Sequence, residues 1–201
     1  MKLLSTTALI GALTLAGAAQ AETWGMDPTH TDVVVEWNHA GFSYQVANFH
    51  EFDGTLELDL DDISSLQANF SVPVASLSTG YETFDGHLKS ADFFDAEAHP
   101  EITFVSTSAE QTGEMSATVT GDMTVKGVTR PVTFDVTVHA VGEHPVGQFF
   151  EAYQGNWIGF TATAEILRSE FGVDNFIPVG SDAVTITINS EMREGGFSMG
   201  G

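Results

Sequence analysis

The chain has no cysteine and very little positive charge: 6 lysines and arginines stand against 28 aspartates and glutamates, a formal net charge of −22. Without cysteine there is no disulfide, thiolate metal site, cysteine nucleophile or c-type haem attachment, so stability rests on packing and sheet hydrogen bonds. Without clustered Lys and Arg, nothing neutralises phosphates, which argues against nucleic acid and anionic lipid head groups as partners. The acidic excess suits a salty exterior or periplasm, where salt screens the self-repulsion. Catalytic signatures are missing as well: there is no nucleophile elbow, phosphate loop or dinucleotide fingerprint. The seven histidines, His30, His39, His50, His87, His99, His139 and His144, never recur at i, i+2 or i, i+4 on one element. No metal and no cofactor is therefore expected from local motifs, although ligands gathered from distant strands stay open.

Long apolar runs are confined to the start. Lys2 precedes the run 3–18, which ends in Ala19-Gln20-Ala21. That is the order of a secretory signal peptide, residues 1–21, and the run is shorter than the ~20 residues a membrane span needs. Cleavage after Ala21 leaves about 180 residues, enough for one domain with a sizeable core. The expectation is a periplasmic protein with a single domain over residues 22–194 and a flexible tail over 195–201, too glycine-rich to order itself, without stable membrane insertion.

What is abundant is period-two alternation. Phe52, Gly54, Leu56, Leu58 and Leu60 share one face against Asp53, Thr55, Glu57 and Asp59, and Leu66, Ala68, Phe70 and Val72 repeat the pattern. Further strands read at 33–39, 44–49, 102–108, 115–125, 132–139, 157–166 and 183–192, about eight or nine in all. Lys126-Gly127 reads as a tight hairpin. Residues 83–94 place Phe84, Leu88 and Ala91 near helical spacing, so one short helix is expected there and a single turn at 76–79. Asp85 and Lys89, four apart, are expected to pair on one helix face while His87 points elsewhere. Many antiparallel strands with few helices mean an all-β sandwich or barrel, and alternation alone does not choose.

Aromatics are dominated by phenylalanine, 15 against 3 Tyr and 3 Trp. For any single Phe the ordinary reading is a close-packed β core. A barrel of about eight strands, however, is just wide enough either to be filled or to hold one slender ligand. On the run Ile158, Phe160, Ala162, Ala164 and Ile166, two central alanines leave room that larger side chains would fill. Arg130 and Arg168 could each meet an anionic head group or pair with surface acids.

Three segments occur in a recognisable order: Asp85-Gly86-His87-Leu88-Lys89-Ser90-Ala91-Asp92-Phe93-Phe94, His99-Pro100-Glu101-Ile102-Thr103-Phe104, and Gly121 through Val132. This order resembles the YceI-like family of polyisoprenoid-binding proteins, and the resemblance runs from Asp27-Pro28-Thr29-His30 through Arg168 to the final strand. It implies a lipocalin-like antiparallel β-barrel of about eight strands with one or two short helices, and an isoprenoid lipid as ligand rather than a reaction. The block His39-Ala40-Gly41-Phe42-Ser43 would then lie near the ligand, with Trp37, Tyr44 and Phe49 lining the cavity. Phe52, Phe104, Phe134, Phe160, Ala162, Ala164 and Phe171 complete the expected ligand-binding set, and no catalytic residue is assigned. Val46-Ala47-Asn48-Phe49 departs from the family, which often has a glycine before its Phe, and residues 142–155 form a longer insertion that could lid the barrel.

Two other readings remain at this point. One is an acidic stress-response or interaction protein with a packed interior; the other is a lipid hydrolase or isomerase using His39 or His87. On any of these readings a homodimer is open.

Overall fold

The computed structural model describes residues 21–198; the signal-peptide reading falls outside them but for Ala21. Eleven strands form one antiparallel sheet: β1 Glu22–Met26, β2 Asp32–His39, β3 Ser43–Phe49, β4 Asp53–Asp59, β5 Asp62–Pro73, β6 Leu77–Ser78, β7 Glu101–Gly113, β8 Ser116–Val125, β9 Val128–Glu143, β10 Asn156–Leu167 and β11 Gly180–Glu194. The order β1-β4-β5-β7-β8-β9-β10-β11 closes on itself because β1 also pairs with β11, giving an eight-stranded barrel. The fold is all-β and lipocalin-like, and closure removes the sheet edge.

β11 carries two partners along one edge. Its far end pairs with β1 at Trp24↔Glu194, and the rest pairs with β2 from Gly180↔His39 to Asn189↔Asp32. β1 and β2 are thus one long strand broken at residues 27–31, where Pro28 cannot donate to a ladder. Past the break, β2 pairs with β3 and β3 with β6, so the sheet continues beside β11 as part of the wall.

Alternation selects the inner face. Leu56 pairs with Ala68, Gly54 with Phe70, and Ala162 with both Val136 and Ile188, so each set points inward together. Lys126 and Gly127 both have positive φ, 49° and 74°, as the primed hairpin turn between β8 and β9 requires. The expected strands are present, and β1 and β6 are added to them.

One end of the barrel is covered by α1 Glu82–Lys89, the single α-helix among the described residues. Acidic Glu82 and Asp85 sit in its first turn and Lys89 in its last, in line with the helix dipole. Asp85 does not pair with Lys89: its Oδ1 accepts from the backbone N and the Oγ1 of Thr79, both at 2.6 Å, and these bonds depress its pKa. The preceding turn is a 3-10 segment, Val74–Ser76, slightly earlier than expected. Leu88, Phe93 and Phe94 pack against Phe49 and Leu77, joining the helix to the wall.

Candidate functional site

An apolar cavity of about 620 Å³ runs inside the barrel. Its wall is built by the inward residues of nearly every strand, with Val35, Leu56, Phe104, Phe134, Phe160 and Ile186 representative. Two glycines explain why so aromatic an interior stays open. A Cβ on Gly54 would collide with the Phe70 ring, and one on Gly121 with the Phe104 ring. Both rings therefore lie flat on bare backbone, and Phe104 meets Phe134 edge-on at 5.3 Å.

Ionisable groups gather at the two ends, while Thr31 and Ser190 are hydrogen-bonded to each other at 2.9 Å in the wall between them. At the helix end the lining includes His39, His87 and Arg168; at the other it includes Asp61, Gln111 and Glu114. His87 is held edge-on by Phe93 at 5.1 Å and Phe176 at 5.9 Å, with Nε2 3.4 Å from Asp92. Arg168 does not reach into the cavity as a free cation. Its guanidinium donates to the carbonyls of Ser181, Val173, Asn175 and Gly180 at 2.6–3.1 Å. Burial lowers its pKa, and Asp182 and Asp174 partly oppose the shift. The side chain thereby fastens the loop between the 3-10 turn Arg168–Phe171 and β11.

Of the residues expected from sequence, Trp37, His39, Phe49, Phe52, Phe104, Phe134, Phe160, Ala162 and Phe171 line this cavity. Three do not. Phe42 and Tyr44 are 92% and 69% exposed on the β2–β3 hairpin. The reason for Tyr44 is register: His39 pairs with Ser43 across a three-residue loop, so Gln45 opposes the inward Trp37 and Tyr44 faces out. Ala164 shares the inward face with Ala162 but is not part of the cavity wall; it pairs with Ile186 and is packed in one buried cluster with Phe171 and Val173. Phe93, Phe94, Phe176 and Val179 line the cavity without having been singled out. The adjacent Phe93 and Phe94 closing the helix block were the available signal for two of them.

The insertion at residues 142–155 contributes nothing to the cavity wall. It folds against the outer face, where Tyr153 stacks on Trp157 at 5.2 Å and 11° and Phe197 closes on both rings. Here lies a polar cluster at the strand break. The fully buried Asp27 accepts from Thr29 N at 2.8 Å, Thr29 Oγ1 at 2.7 Å, His30 Nδ1 at 2.8 Å and Tyr153 OH at 3.0 Å. Burial alone would raise the Asp27 pKa, but these four bonds outweigh it and hold the carboxyl below its usual value. His30 is raised, chiefly by its bond to Asp27, against some burial and with Glu191 adding. Asp27, His30 and Glu191 bring ligand-type atoms within 4.8 Å of one another, the one such group among the described residues. Asp27 has its acceptors already engaged, and the cluster pins the insertion to the barrel.

Comparison with known proteins agrees with this architecture. The family model described as YceI-like domain matches residues 24–192. A UPF0312 protein of Pseudomonas putida is 36% identical over 174 residues, covering 86% of this chain and 87% of its own. The crystal structure of Burkholderia cenocepacia BcnA superposes with a TM-score of 0.73 at 24% identity, covering 83% of this chain and 98% of that one. A polyisoprenoid-binding domain from Saccharophagus degradans shares the fold at 12% identity, with a TM-score of 0.61, over 87% of this chain and 99% of that one. The barrel, its cavity and the match across nearly all described residues place the chain in the YceI-like domain family.

Proposed function

We propose that this protein binds one isoprenoid lipid inside its barrel and shields the tail from water, for carriage or storage in the periplasm. The observation that carries the reading is the continuous apolar cavity of about 620 Å³, within the range of small-molecule sites. Each buried methylene of a tail contributes about 0.8 kcal/mol, so several isoprene units bind firmly with few polar contacts. The polyisoprenoid-binding domain of the same fold supports this ligand class. An uncharged head such as a quinone fits better than a diphosphate, because Arg168 donates to four carbonyls and His39 and His87 are the other basic groups in the wall. No reaction is part of the reading.

Native mass spectrometry of protein purified from its own periplasm without detergent, followed by organic extraction, tests it. A stoichiometric isoprenoid is the expected result. A clean apo mass, with no uptake of added quinones or polyprenols, would shift the assignment to an interaction protein working through its surface.

A further inference from the structure

We infer that the β2–β3 hairpin and the loop facing it form a docking rim that seats the cavity mouth on an uncharged, zwitterionic lipid bilayer. The inference rests on the carrier reading above, since a bilayer is the reservoir of an isoprenoid.

Four of the exposed apolar residues at the helix end fall on two neighbouring segments. Phe42 and Tyr44 project from the hairpin, while Phe176 and Val179, 58% and 57% exposed, project from the loop before β11. The two segments are tied together: Ala40 N donates to Val179 O at 2.6 Å and Asn38 N to Ser181 Oγ at 3.0 Å. Phe176 and Val179 also line the cavity, as does His39 at the base of the hairpin. The outer patch is therefore continuous with the inner wall, and a tail can pass from one to the other without crossing water.

The backbone keeps these groups presented. Ala40 and Phe176 both adopt positive φ, 56° and 63°, a left-handed conformation that non-glycine residues take only where their surroundings hold them. Phe176 is held there by stacking on Phe93 at 5.8 Å and 19°.

Charge selects the kind of surface. In a chain with 28 acids, none occurs between Glu36 and Glu51, nor between Asp174 and Asp182, the two stretches that make the rim. Acids at this end flank the rim rather than sit on it, Asp92 beside His87 and Asp174 just before the loop, and the opposite end carries Asp59, Asp61 and Asp62 at the β4–β5 turn and Glu114 at the β7–β8 turn. A net charge of −22 repels an anionic membrane and leaves aromatic insertion as the attraction, which an uncharged bilayer satisfies. The acids at the far end then face bulk solvent.

The test uses phosphatidylcholine vesicles as probe. Flotation should show wild-type protein bound, and Phe42→Ser/Tyr44→Ser should weaken binding by at least about tenfold, since burying one such ring contributes 1.5–3 kcal/mol. Uptake of geranylgeraniol in solution, read by native mass spectrometry, should be equal in the two proteins, because neither residue lines the cavity. As an independent readout, Phe42→Trp should shift its emission to the blue when vesicles are added. Geranylgeraniol uptake without wild-type vesicle binding overturns the rim and leaves the carrier standing. Vesicle binding that the double variant retains, binding restricted to phosphatidylglycerol vesicles, or rim-dependent dimers in sedimentation would each overturn it too. Rim-dependent vesicle binding without geranylgeraniol uptake supports the rim and removes the carrier.

Discussion

The two faces of strand β10 use the same kinds of residue to opposite ends. Outside, Trp157 is covered by Tyr153 and Phe197 and is almost wholly buried although it points away from the barrel. Inside, Phe160 and Ala162 border open volume. Aromatic richness therefore does not decide whether space is filled; what decides it is whether another segment is available to close over the rings. The insertion at 142–155 closes the outer cluster, whereas inside the barrel the opposing strands are held a fixed distance apart by their own ladders.

Changing one face should therefore leave the other intact. Ala162→Leu places a branched side chain in the cavity, and lipid recovered with the purified protein should fall to a small fraction of wild type while the barrel still folds. Normal occupancy in that variant, read by extraction and mass spectrometry, would mean that the tail runs elsewhere. Ala164→Leu acts differently, since Ala164 is buried among packed side chains and does not line the cavity: overpacking should lower stability by about 1–3 kcal/mol with lipid retained.

Trp157→Ala reverses the comparison. Losing a buried Trp from the outer cluster should reduce unfolding free energy by about 3–5 kcal/mol in urea titration, with stoichiometric lipid in the protein that remains folded. If occupancy fell in step with stability, the outer cluster and the cavity would be one cooperative unit rather than two. Gly54→Ala probes the inner face more gently. Its Cβ must displace the Phe70 ring, so stability should drop by about 1–3 kcal/mol and the longest tails should be lost first.

Much of this was legible because strand alternation is a local signal. Leu56 and Leu58, or Phe160 and Ala162, announce a shared face in the chain itself, and Lys126-Gly127 announces its turn. The unread parts depend on distant partners. Trp24 sits in a strand of five residues, too short to show a period, yet that strand closes the barrel against β4 and β11. Tyr44 depended on whether the β2–β3 loop has two residues or three, since one residue changes the face of everything after it. Ala162 and Ala164 look alike in sequence. Both are buried in one cluster with Phe171, and only the three-dimensional packing makes Ala162 a wall residue and Ala164 not.

The smallest expected effect concerns the cluster that joins the insertion to the strand break. His30 has a raised pKa in the folded chain, so its contribution is fully present below the unfolded histidine value near 6.5 and is lost as pH rises through the folded value. Asp27 is shifted down, so its contribution is present above the unfolded carboxylate value near 3.9 and is lost as pH falls through the folded one. Both are in place together between those limits. Because the His30 side chain is half exposed, solvent screens its share. His30→Gln should therefore lower Tm slightly at pH 5.5 and hardly at all at pH 9, by scanning fluorimetry at matched ionic strength. An equal loss at both pH values would mean that His30 holds the insertion through contacts that do not need its charge, its packing against Tyr153 and a neutral hydrogen bond to Asp27.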